Sequence, residues 1–373
     1  MEYDYLIVGS GLFGAVTARQ LTDRGYNCLV IDKRSHIGGN VYTENVDGIE
    51  VHKYGAHIFH TSNKEVWDYV NKYVEFYPYI NSPMALSKGK IYNLPFNMNT
   101  FYQLYGVTTP EDARKAIQDE TEQYKDIDPK NLEEQALKLG GKTLYEALIK
   151  GYSEKQWGRD AKQIPAFIIR RLPFRFTYNN NYFNDLYQGI PKYGYTQLIK
   201  NLLNGIDIRL NTDYFIERSK ALATNRFRKG IIYTGKLDEF FDCKFGNLEY
   251  RSLHFETYKV NQNNHQGNAV VNYVDKEVPY TRVIEHKHFT GGDCLDYSLI
   301  TKEFPHEFSK DNIPYYPMNS PDNELIANKY KELVKRLQNI WFGGRLADFK
   351  YYDMHITVEK ALKLSKELCE LQE

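Results

Sequence analysis

The sequence predicts an α/β fold in which a discontinuous, Rossmann-like domain carries a helical insertion and an antiparallel β-sheet insertion. Three observations predict it: a glycine-rich strand–turn–helix pattern at the N-terminus, a stretch with helical periodicity, and later segments rich in Tyr, Phe, Val and Asn with frequent turn residues. The chain has 373 residues, which is more than one hydrophobic core usually serves, so we expect more than one domain.

The first element is a strand followed by a glycine-rich turn. Residues 5–8 form an apolar run typical of a buried parallel strand, and Gly9, Gly11 and Gly14 complete a G-x-G-x-x-G pattern after it. In such patterns the first glycine allows the tight turn, the second lets the backbone approach a pyrophosphate, and the third lets helix and strand pack closely. A helix over residues 15–21 would direct its N-terminal N–H groups at the phosphates. The context of strand, turn and helix predicts a dinucleotide site.

The second strand and the loop after it favour FAD over NAD. Residues 27–31 are apolar and end at Asp32, eighteen residues after Gly14, where a carboxylate is placed to accept hydrogen bonds from a ribose. A second glycine pair, Gly38 and Gly39, follows in KRSHIGGN. This arrangement is typical of flavoproteins, which line the FAD diphosphate and ribityl chain with more backbone. We therefore predict FAD as the cofactor.

The remaining parts of this domain lie far along the chain. GIDIRL (205–210) and KGIIYTG (229–235) predict two more strands, and the glycines of FGGR (342–345) precede YYDMH (351–355) and a final helix. This late strand-to-helix junction resembles the segment that returns to the flavin in such folds, where a helix N-terminus would stabilise negative charge on a reduced flavin. The predicted FAD-binding domain comprises residues 1–80, 198–240 and 330–373.

Two insertions interrupt this domain. Residues 99–170 have helical periodicity, and Thr109 before Pro110 is a good helix start. VVNYVD, YTRVIEHKHF and SLITKEF predict antiparallel strands. We predict a helical domain over 99–170 and an antiparallel β-sheet substrate domain over 81–98, 172–197 and 241–329, with a cleft between the insertions as the usual place for a substrate.

The composition excludes some classes of protein. Lys+Arg and Asp+Glu both number 48, so the formal net charge is zero, which argues against a nucleic-acid binder but leaves room for a local basic site. The four cysteines are scattered without metal-ligand spacing and indicate reduced thiols. Because neither a signal peptide nor a sufficiently long apolar run is present, we expect a cytoplasmic protein without stable membrane insertion.

Seven stretches along the chain resemble the prokaryotic UDP-galactopyranose mutases. They are KYGAHIFHT (53–61), NLPFNMNTF (93–101), LIKGYSEKQWGRDAKQIPAFIIRRLPFRF (148–176), NNNYFNDLYQGIPKYGYTQLI (179–199), FGNLEYRSLHFET (245–257), VPYTRVIEHKHF (278–289) and GGRLADFKYYDMH (343–355). The resemblance covers essentially the whole chain. It implies the fold predicted above, a mobile substrate loop near the end of the helical domain, and a homodimer.

The resemblance also implies an activity. Members of this family are flavin-dependent isomerases that interconvert UDP-galactopyranose and UDP-galactofuranose, which supplies galactofuranose for cell-surface polysaccharide. FAD is active when reduced: its N5 forms a covalent adduct with the sugar while UDP leaves, and UDP returns after the ring recloses as furanose. The expected partners are therefore UDP-galactose or UDP-galactofuranose and an external reductant.

Substrate contacts follow from the same resemblance. Trp157 would lie against the uracil ring, while Arg171 on the mobile loop and Arg282 would bind the diphosphate from two sides, because the arginine fork makes bidentate bonds to phosphate. The neighbouring Arg170 leaves the position of the loop arginine open by one residue, and the Lys-Arg pair of relatives favours Arg171. The other predicted substrate contacts are Asn81, Tyr152, Tyr182, Asn272, Tyr315 and Tyr351, with Tyr316 as an alternative to Tyr315.

The histidines of GAHIFH invite two interpretations. His57 and His60 could ligate a metal, but no acid or cysteine nearby in the sequence completes a site, so no metal is predicted. The resemblance places this loop against the flavin ring and makes His60 flavin-adjacent and, with Arg171 and Arg282, a catalytic residue. The predicted cofactor contacts are Gly9, Gly11, Phe13, Gly14, Asp32, Lys33, Gly39, Asn40, His57, Ile58, Arg345, Tyr352, Asp353 and Met354.

Two other functions and one local departure stay open. An FAD oxidoreductase of the amine-oxidase type shares the flavin signatures at both ends, but would not explain Trp157 together with two diphosphate arginines. A non-catalytic, FAD-stabilised binding protein would bind UDP without forming product. Leu148 and Ile149 stand where certain family members carry phenylalanines near the uridine, and Ser153 stands where threonine is common, which bears on nucleotide fit.

Overall fold

The computed structural model of this protein describes residues 2–169, 172–217, 227–290, 296–309 and 312–370. The chain divides into two compact units, each formed by segments that are distant in sequence. The first unit consists of Met1–Pro78, Asp185–Tyr250 and Pro314–Glu373, and the second of Tyr79–Asn184 and Arg251–Ile313. Most of the predicted helical and sheet insertions fall together in the second unit.

Strands and helices alternate irregularly along the chain. The strands are β1 (Tyr3–Val8), β2 (Cys28–Ile31), β3 (Thr43–Val46), β4 (Ile49–His52), β5 (Phe59–Thr61), β6 (Phe76–Pro78), β7 (Met84–Ser87), β8 (Lys90–Asn93), β9 (Tyr187–Pro191), β10 (Asp207–Arg209), β11 (Phe227–Tyr233), β12 (Tyr250–Val260), β13 (Val270–Tyr273), β14 (Arg282–Glu285), β15 (Ser298–Glu307), β16 (Tyr316–Pro317) and β17 (Ile340–Phe342). The helices are α1 (Leu12–Thr22), α2 (Lys64–Asn71), α3 (Met98–Tyr105), α4 (Pro110–Thr121), α5 (Leu132–Leu144), α6 (Lys150–Trp157), α7 (Gly194–Leu202), α8 (Leu237–Phe240), α9 (Pro321–Val334) and α10 (Met354–Glu370).

A five-stranded parallel sheet forms the centre of the first unit. Its strand order is β10-β2-β1-β11-β17, so strands from the two ends of the chain share one sheet. Side chains along β1 alternate between the two faces: Tyr5 and Ile7 belong to an apolar cluster with residues of α1, α7 and α10, whereas Leu6 packs with Tyr233 and Phe240. Both faces are therefore buried, as is usual for a parallel sheet.

A smaller antiparallel sheet of the first unit, in the order β5-β9-β6, joins two distant segments. Within it Phe59 pairs with Gly189, and Thr61 pairs with Tyr187. Because β9 begins at Tyr187, which pairs with the last residue of β5, the residues that precede Tyr187 lie beyond the end of β5. The segment around Asp185 consequently lies beside His60, which is 125 positions away in the sequence.

An antiparallel sheet and helices α3 to α6 make up most of the second unit. The strands follow one another as β12-β15-β14-β13-β7-β8, and each neighbouring pair is antiparallel except β13 with β7. Large side chains such as Tyr92, Phe101 and Leu144 form the core of this unit. Thr109 caps α4 as predicted, since its hydroxyl accepts the N–H of Asp112.

The predicted α/β class is confirmed, while one predicted strand is too long. YTRVIEHKHF forms a strand only over β14 and then turns into a 3-10 helix at His286–Phe289. The strand ends there because its partners end: Ile284 pairs with Val270, the first residue of β13, and Glu285 pairs with Ile300 near the start of β15. Within the described part of the chain, no helix combines the length and apolar character needed to cross a membrane.

Candidate functional site

The glycine-rich turn between β1 and α1 is shaped by two different requirements. Gly9 has φ +109°, a conformation that favours glycine, and a β-carbon on Gly14 would lie 2.0 Å from the carbonyl oxygen of Gly9. The turn and the close packing of helix on strand thus require both residues, in agreement with the prediction.

At position 11, by contrast, neither the backbone conformation nor the packing of the chain requires glycine. Its φ of −67° and ψ of 179° suit any residue, and among the described residues a β-carbon there would meet only the Cα of Gly39, at an ordinary 3.9 Å. Gly11 precedes α1, whose first turn contains no acidic side chain, and it forms a bridge with Gly38. The bare backbone and the positive end of the helix fit a bound pyrophosphate, as FAD would supply.

Asp32, at the end of β2, is held in place by three hydrogen bonds. Its Oδ2 accepts from the backbone N–H of Ser10 at 2.8 Å and from the Ser10 hydroxyl at 2.6 Å, and its Oδ1 accepts from the N–H of Arg34 at 2.9 Å. A carboxylate has about four acceptor positions, so one remains for the predicted ribose contact. The predicted contact Lys33 is exposed.

Arg34, which the sequence analysis did not single out, contacts a predicted cofactor residue. Its guanidinium donates to Oδ1 of Asn40 at 2.8 Å and lies 4.8 Å over the ring of Tyr54. The ring of Tyr54 in turn lies 6.4 Å from that of Tyr315. These contacts order the loop that follows Asp32, because a stacked guanidinium fixes both the ring and the amide.

His60 is the middle residue of β5 and lies among groups from two other parts of the chain. Its Nδ1 is 2.6 Å from Oδ2 of Asp185, and its Nε2 is 3.9 Å from Oδ2 of Asp353. The ring of His355 stands edge-on at 5.1 Å. The sequence showed no acid near the histidine pair, whereas the fold supplies two.

This cluster has the chemistry of a cation site as well as that of a positioned imidazole. One ligand-type atom from each of His60, Asp353 and His355 lies within 4.8 Å of the others, and imidazole with carboxylate is a common ligand combination. His57 does not join them: its Nδ1 lies 2.8 Å from the carbonyl oxygen of Gly55.

The junction before α10 brings several predicted cofactor contacts together. The Nε of Arg345 donates to the carbonyl of Tyr352 at 2.5 Å, and its guanidinium lies 4.6 Å over the ring of Tyr351. Tyr352 is buried and donates to Asp348 at 3.0 Å. Asp353 and Met354 follow directly, at the start of the helix. Within the first unit, the fold therefore places Asp353 of this junction near His60.

Arg282 occupies the middle of a polar row across three strands of the second unit. In the ladder it pairs with Asn272 on β13 and with Glu303 on β15. Its Nε lies 3.3 Å from Oδ1 of Asn272, and its Nη1 lies 3.5 Å from a carboxylate oxygen of Glu303, which is buried. The Nη2 is 3.4 Å from the hydroxyl of Tyr152 on α6. Three predicted substrate contacts are thus adjacent.

Helix α6, which carries Tyr152 and Trp157, is attached to the β13–β14 connection by Lys155. The Lys155 ammonium donates to the carbonyls of Tyr273, Val278 and Tyr280 at 2.6, 3.0 and 3.0 Å. Burial lowers the pKa of Lys155 to about 8, and three carbonyl acceptors match the three donors of its charged form. Trp157, the last residue of the helix, is half-buried.

Asn81 has a buried acceptor that invites a ligand. Its side chain is 7 % exposed, and among the residues that the structure describes nothing donates to its Oδ1. Its own carbonyl accepts from the N–H of Tyr182 at 2.8 Å. A buried amide oxygen without a partner is costly, and a sugar or ribose hydroxyl would satisfy it.

The predicted residues divide between the two units, and one lies outside the description. Arg171 and its neighbour Arg170 are outside the described residues. Sequence reasoning missed Asp185, which contacts His60, and Glu303, which contacts Arg282. It also missed Lys155, which attaches the helix that carries Tyr152 and Trp157. No local sequence pattern predicts these three residues, because each contacts its partner through strand register or helix packing.

Known proteins resemble this chain along its length. The UDP-galactopyranose mutase family model matches residues 147–351, and a NAD(P)-binding Rossmann-like domain model matches residues 7–73. A dTDP-fucopyranose mutase of Escherichia coli is 43% identical over 366 residues, covering 97% of each chain. A probable UDP-galactopyranose mutase of Klebsiella pneumoniae is 41% identical over 366 residues, covering 97% of this chain and 94% of the relative.

A solved structure supports the fold independently. The crystal structure of a reduced UDP-galactopyranose mutase matches with a TM-score of 0.73 and 14% identity, covering 99% of this chain and 96% of the other. At that identity the likeness bears on the fold alone.

Proposed function

The chain belongs to the UDP-galactopyranose mutase family, and on that premise we propose that it interconverts UDP-galactopyranose and UDP-galactofuranose with bound, reduced FAD. The observation that carries the proposal is the row formed by Asn272, Arg282 and Glu303 beside Tyr152. A guanidinium held by a buried carboxylate is a fixed cation with planar donors, which suits a diphosphate. Trp157 on the same helix as Tyr152 supplies a flat ring suited to a base.

The residues of this chain would bind, orient and protect the reactants. UDP would be kept bound by Arg282, Tyr152 and Arg171 while its bond to the sugar is broken and remade. The UDP then reacts again with the sugar without first having to bind from solution. Asn81 would fix the sugar through its buried Oδ1. The Gly11 turn would hold the FAD pyrophosphate, and reduced flavin would supply the nucleophilic N5 for the anomeric carbon. Because the ring contraction has no net redox change, reductant is needed only to prepare the flavin.

The direct test is product analysis with reduced enzyme. UDP-galactofuranose is incubated with dithionite-treated, flavin-loaded protein, and the nucleotide sugars are separated by HPLC. We expect UDP-galactopyranose to form many times over per flavin, and none to form with oxidised enzyme. Stoichiometric consumption of NADPH or oxygen would instead assign the amine-oxidase type of oxidoreductase, and UDP binding without product would assign a binding protein.

A second candidate substrate is supported by the 43% identity to the dTDP-fucopyranose mutase. Leu148 and Ile149, which replace phenylalanines of some family members, are both 6 % exposed and belong to the core of the second unit. Aliphatic side chains behind a base pocket are compatible with either uracil or thymine. Measurement of kcat/KM for UDP-galactofuranose and dTDP-fucofuranose under the same conditions decides between them. We expect the UDP sugar to have the larger value, and the reverse ratio would assign the dTDP sugar.

A further inference from the structure

His60 belongs to a series of hydrogen bonds that joins β5 to the segment before β9. The Asp185 carboxylate contacts His60 through Oδ2 and accepts the Ser62 hydroxyl through Oδ1 at 2.9 Å. The Ser62 oxygen in turn accepts the N–H of Leu186 at 3.4 Å, and the Asp185 carbonyl accepts from Gln188 at 3.2 Å. Both oxygens of one carboxylate are therefore committed, and its backbone is tied to β9.

From this geometry we propose that Asp185 is a positioning residue that holds His60 as the tautomer with its proton on Nδ1. A carboxylate has no proton to donate, so a bond of 2.6 Å between it and Nδ1 requires the N–H to lie on the histidine. The unprotonated Nε2 of neutral His60 is then directed away from Asp185, towards the side occupied by Asp353 and His355. The inference rests on the proposed function only in that His60 faces the flavin.

Asp185 has the charge state that this role needs. Burial raises the pKa of its carboxyl, but the hydrogen bonds that it accepts from His60 and Ser62 oppose burial, and the net effect is a pKa below its ordinary value. The group is therefore an anion near neutral pH. Among the residues that the structure describes, the titratable groups facing His60 include Asp185 from the segment before β9, and Asp353 and His355 from the start of α10.

The tautomer has a chemical consequence for the reaction. An unprotonated Nε2 can accept a hydrogen bond from an N–H or hydroxyl of a bound group, whereas the opposite tautomer can only donate there. Reduced flavin carries its N5 as an N–H, so the tautomer held by Asp185 complements the reduced state. An asparagine at position 185 offers an amide donor to Nδ1 and would favour the tautomer with its proton on Nε2.

The test measures the tautomer directly in the flavin-loaded protein. Long-range ¹H–¹⁵N correlation spectra of ¹⁵N-histidine-labelled protein separate protonated from unprotonated ring nitrogens, and comparison with His60→Gln assigns His60 among the 10 histidines. We expect unprotonated Nε2 in neutral His60 of the wild type and protonated Nε2 in Asp185→Asn. A wild-type His60 with its proton on Nε2 overturns the inference without reference to any variant, and so does an unchanged tautomer in Asp185→Asn.

Kinetics provides the second measurement. We expect Asp185→Asn to keep its FAD content and KM within threefold while kcat falls by about 10²- to 10⁴-fold, by analogy with loss of an imidazole-orienting carboxylate. Asp68→Asn is the matched control, because Asp68 is an exposed carboxylate paired with Lys64 and should leave kcat unchanged. An unchanged kcat in Asp185→Asn overturns the inference. If the wild type shows the expected tautomer but no mutase activity, the proposed function fails and the positioning role stands.

Discussion

At the scale of single residues, Arg282 obtains its position from neighbours on the adjacent strands. The ladder places Asn272 on one side and Glu303 on the other, so the side chain is already directed before any ligand binds. Such pre-organisation matters most when a departing group must be held, because the contact then lowers the barrier as well as the binding energy.

Substitution of Arg282 by lysine should separate charge from geometry. Lysine keeps a cation beside the buried Glu303, so the fold should be retained, but a point charge cannot reproduce the planar fork. We expect Arg282→Lys to keep FAD and lose turnover by about a thousandfold, equivalent to about 4 kcal/mol. The control is Arg114→Ala, which removes an exposed arginine of α4 and should leave kcat unchanged. A near-normal kcat in Arg282→Lys would contradict the requirement for the planar guanidinium.

Gly11 gives a second prediction at this scale. Its backbone conformation accepts any residue, so Gly11→Val should fold and keep the thermal stability of the flavin-free protein within about 1 kcal/mol. Its side chain would occupy the space over the turn that a pyrophosphate needs. We expect the variant to purify colourless, which absorbance at 450 nm checks. A fully yellow Gly11→Val would place the flavin elsewhere.

Residues differ in how far their roles can be predicted from the sequence. Gly11 and Asp32 lie within one strand–turn–helix–strand unit, so their spacing alone predicts a dinucleotide turn. Glu303 and Asp185 become neighbours of Arg282 and His60 only when strands pair in one register. A shift by a single residue would reverse the faces, and no pattern in either local segment specifies that register.

At the scale of elements, the close approach of α6 to β13 depends on one glycine. A β-carbon on Gly151 would lie 2.3 Å from the carbonyl oxygen of Val274, next to the end of β13. Real contacts of that kind are not shorter than about 3 Å, so the helix would have to move. Since α6 carries Tyr152 and Trp157, such a movement would also shift the predicted nucleotide contacts.

The sign of the stability change at Gly151 tests this packing. In a helix, alanine is intrinsically more stable than glycine by about 1 kcal/mol. If the contact with Val274 controls the position, Gly151→Ala should instead lower the free energy of unfolding by about 1–3 kcal/mol and raise KM for the nucleotide sugar. Urea unfolding and steady-state kinetics measure the two effects. A more stable variant with unchanged KM would contradict the close approach.

The loop between β12 and β13 is fastened to β14 by Glu285, and this contact should depend on pH. Glu285 is fully buried. Burial raises the pKa of its carboxyl, but His288 and the N–H groups of His265 and Gln266 lower it to about 2. The folded-state pKa lies below the ordinary value of 4.5, so the stabilisation is present above about pH 4.5 and is lost as the pH falls towards 2.

Glu285→Gln should remove that pH dependence. We expect the variant to be less stable than the wild type by about 2 kcal/mol at pH 6, with the difference shrinking between pH 4.5 and pH 2. Chemical unfolding at several pH values gives the measurement. Glu256→Gln, at an exposed position of β12, is the control and should show a difference near zero throughout. A constant difference for Glu285→Gln would mean that its ionisation does not contribute.

At the scale of the whole molecule, the sequence predicted a discontinuous domain with insertions, and the structure describes two units whose segments alternate along the chain. The glycine turn near the N-terminus and the glycines of FGGR made the first unit recognisable at both ends. The bounds of the predicted insertions depended on composition, which changes gradually, whereas the chain passes between units at particular residues. Local sequence patterns therefore predict the fold class better than they predict the residues at which the chain passes from one unit to the other.

This alternation has a consequence for the order in which the protein matures on the ribosome. All segments of the second unit have been synthesised once residue 313 has emerged. The central sheet of the first unit, by contrast, still lacks β17, and the core around Tyr5 and Ile7 still lacks α10. Units fold as their last segment becomes available, so the part made first is completed last. On the proposed function, uptake of flavin at the N-terminal turn would accordingly be a late event, which follows synthesis of the helix that begins at Met354.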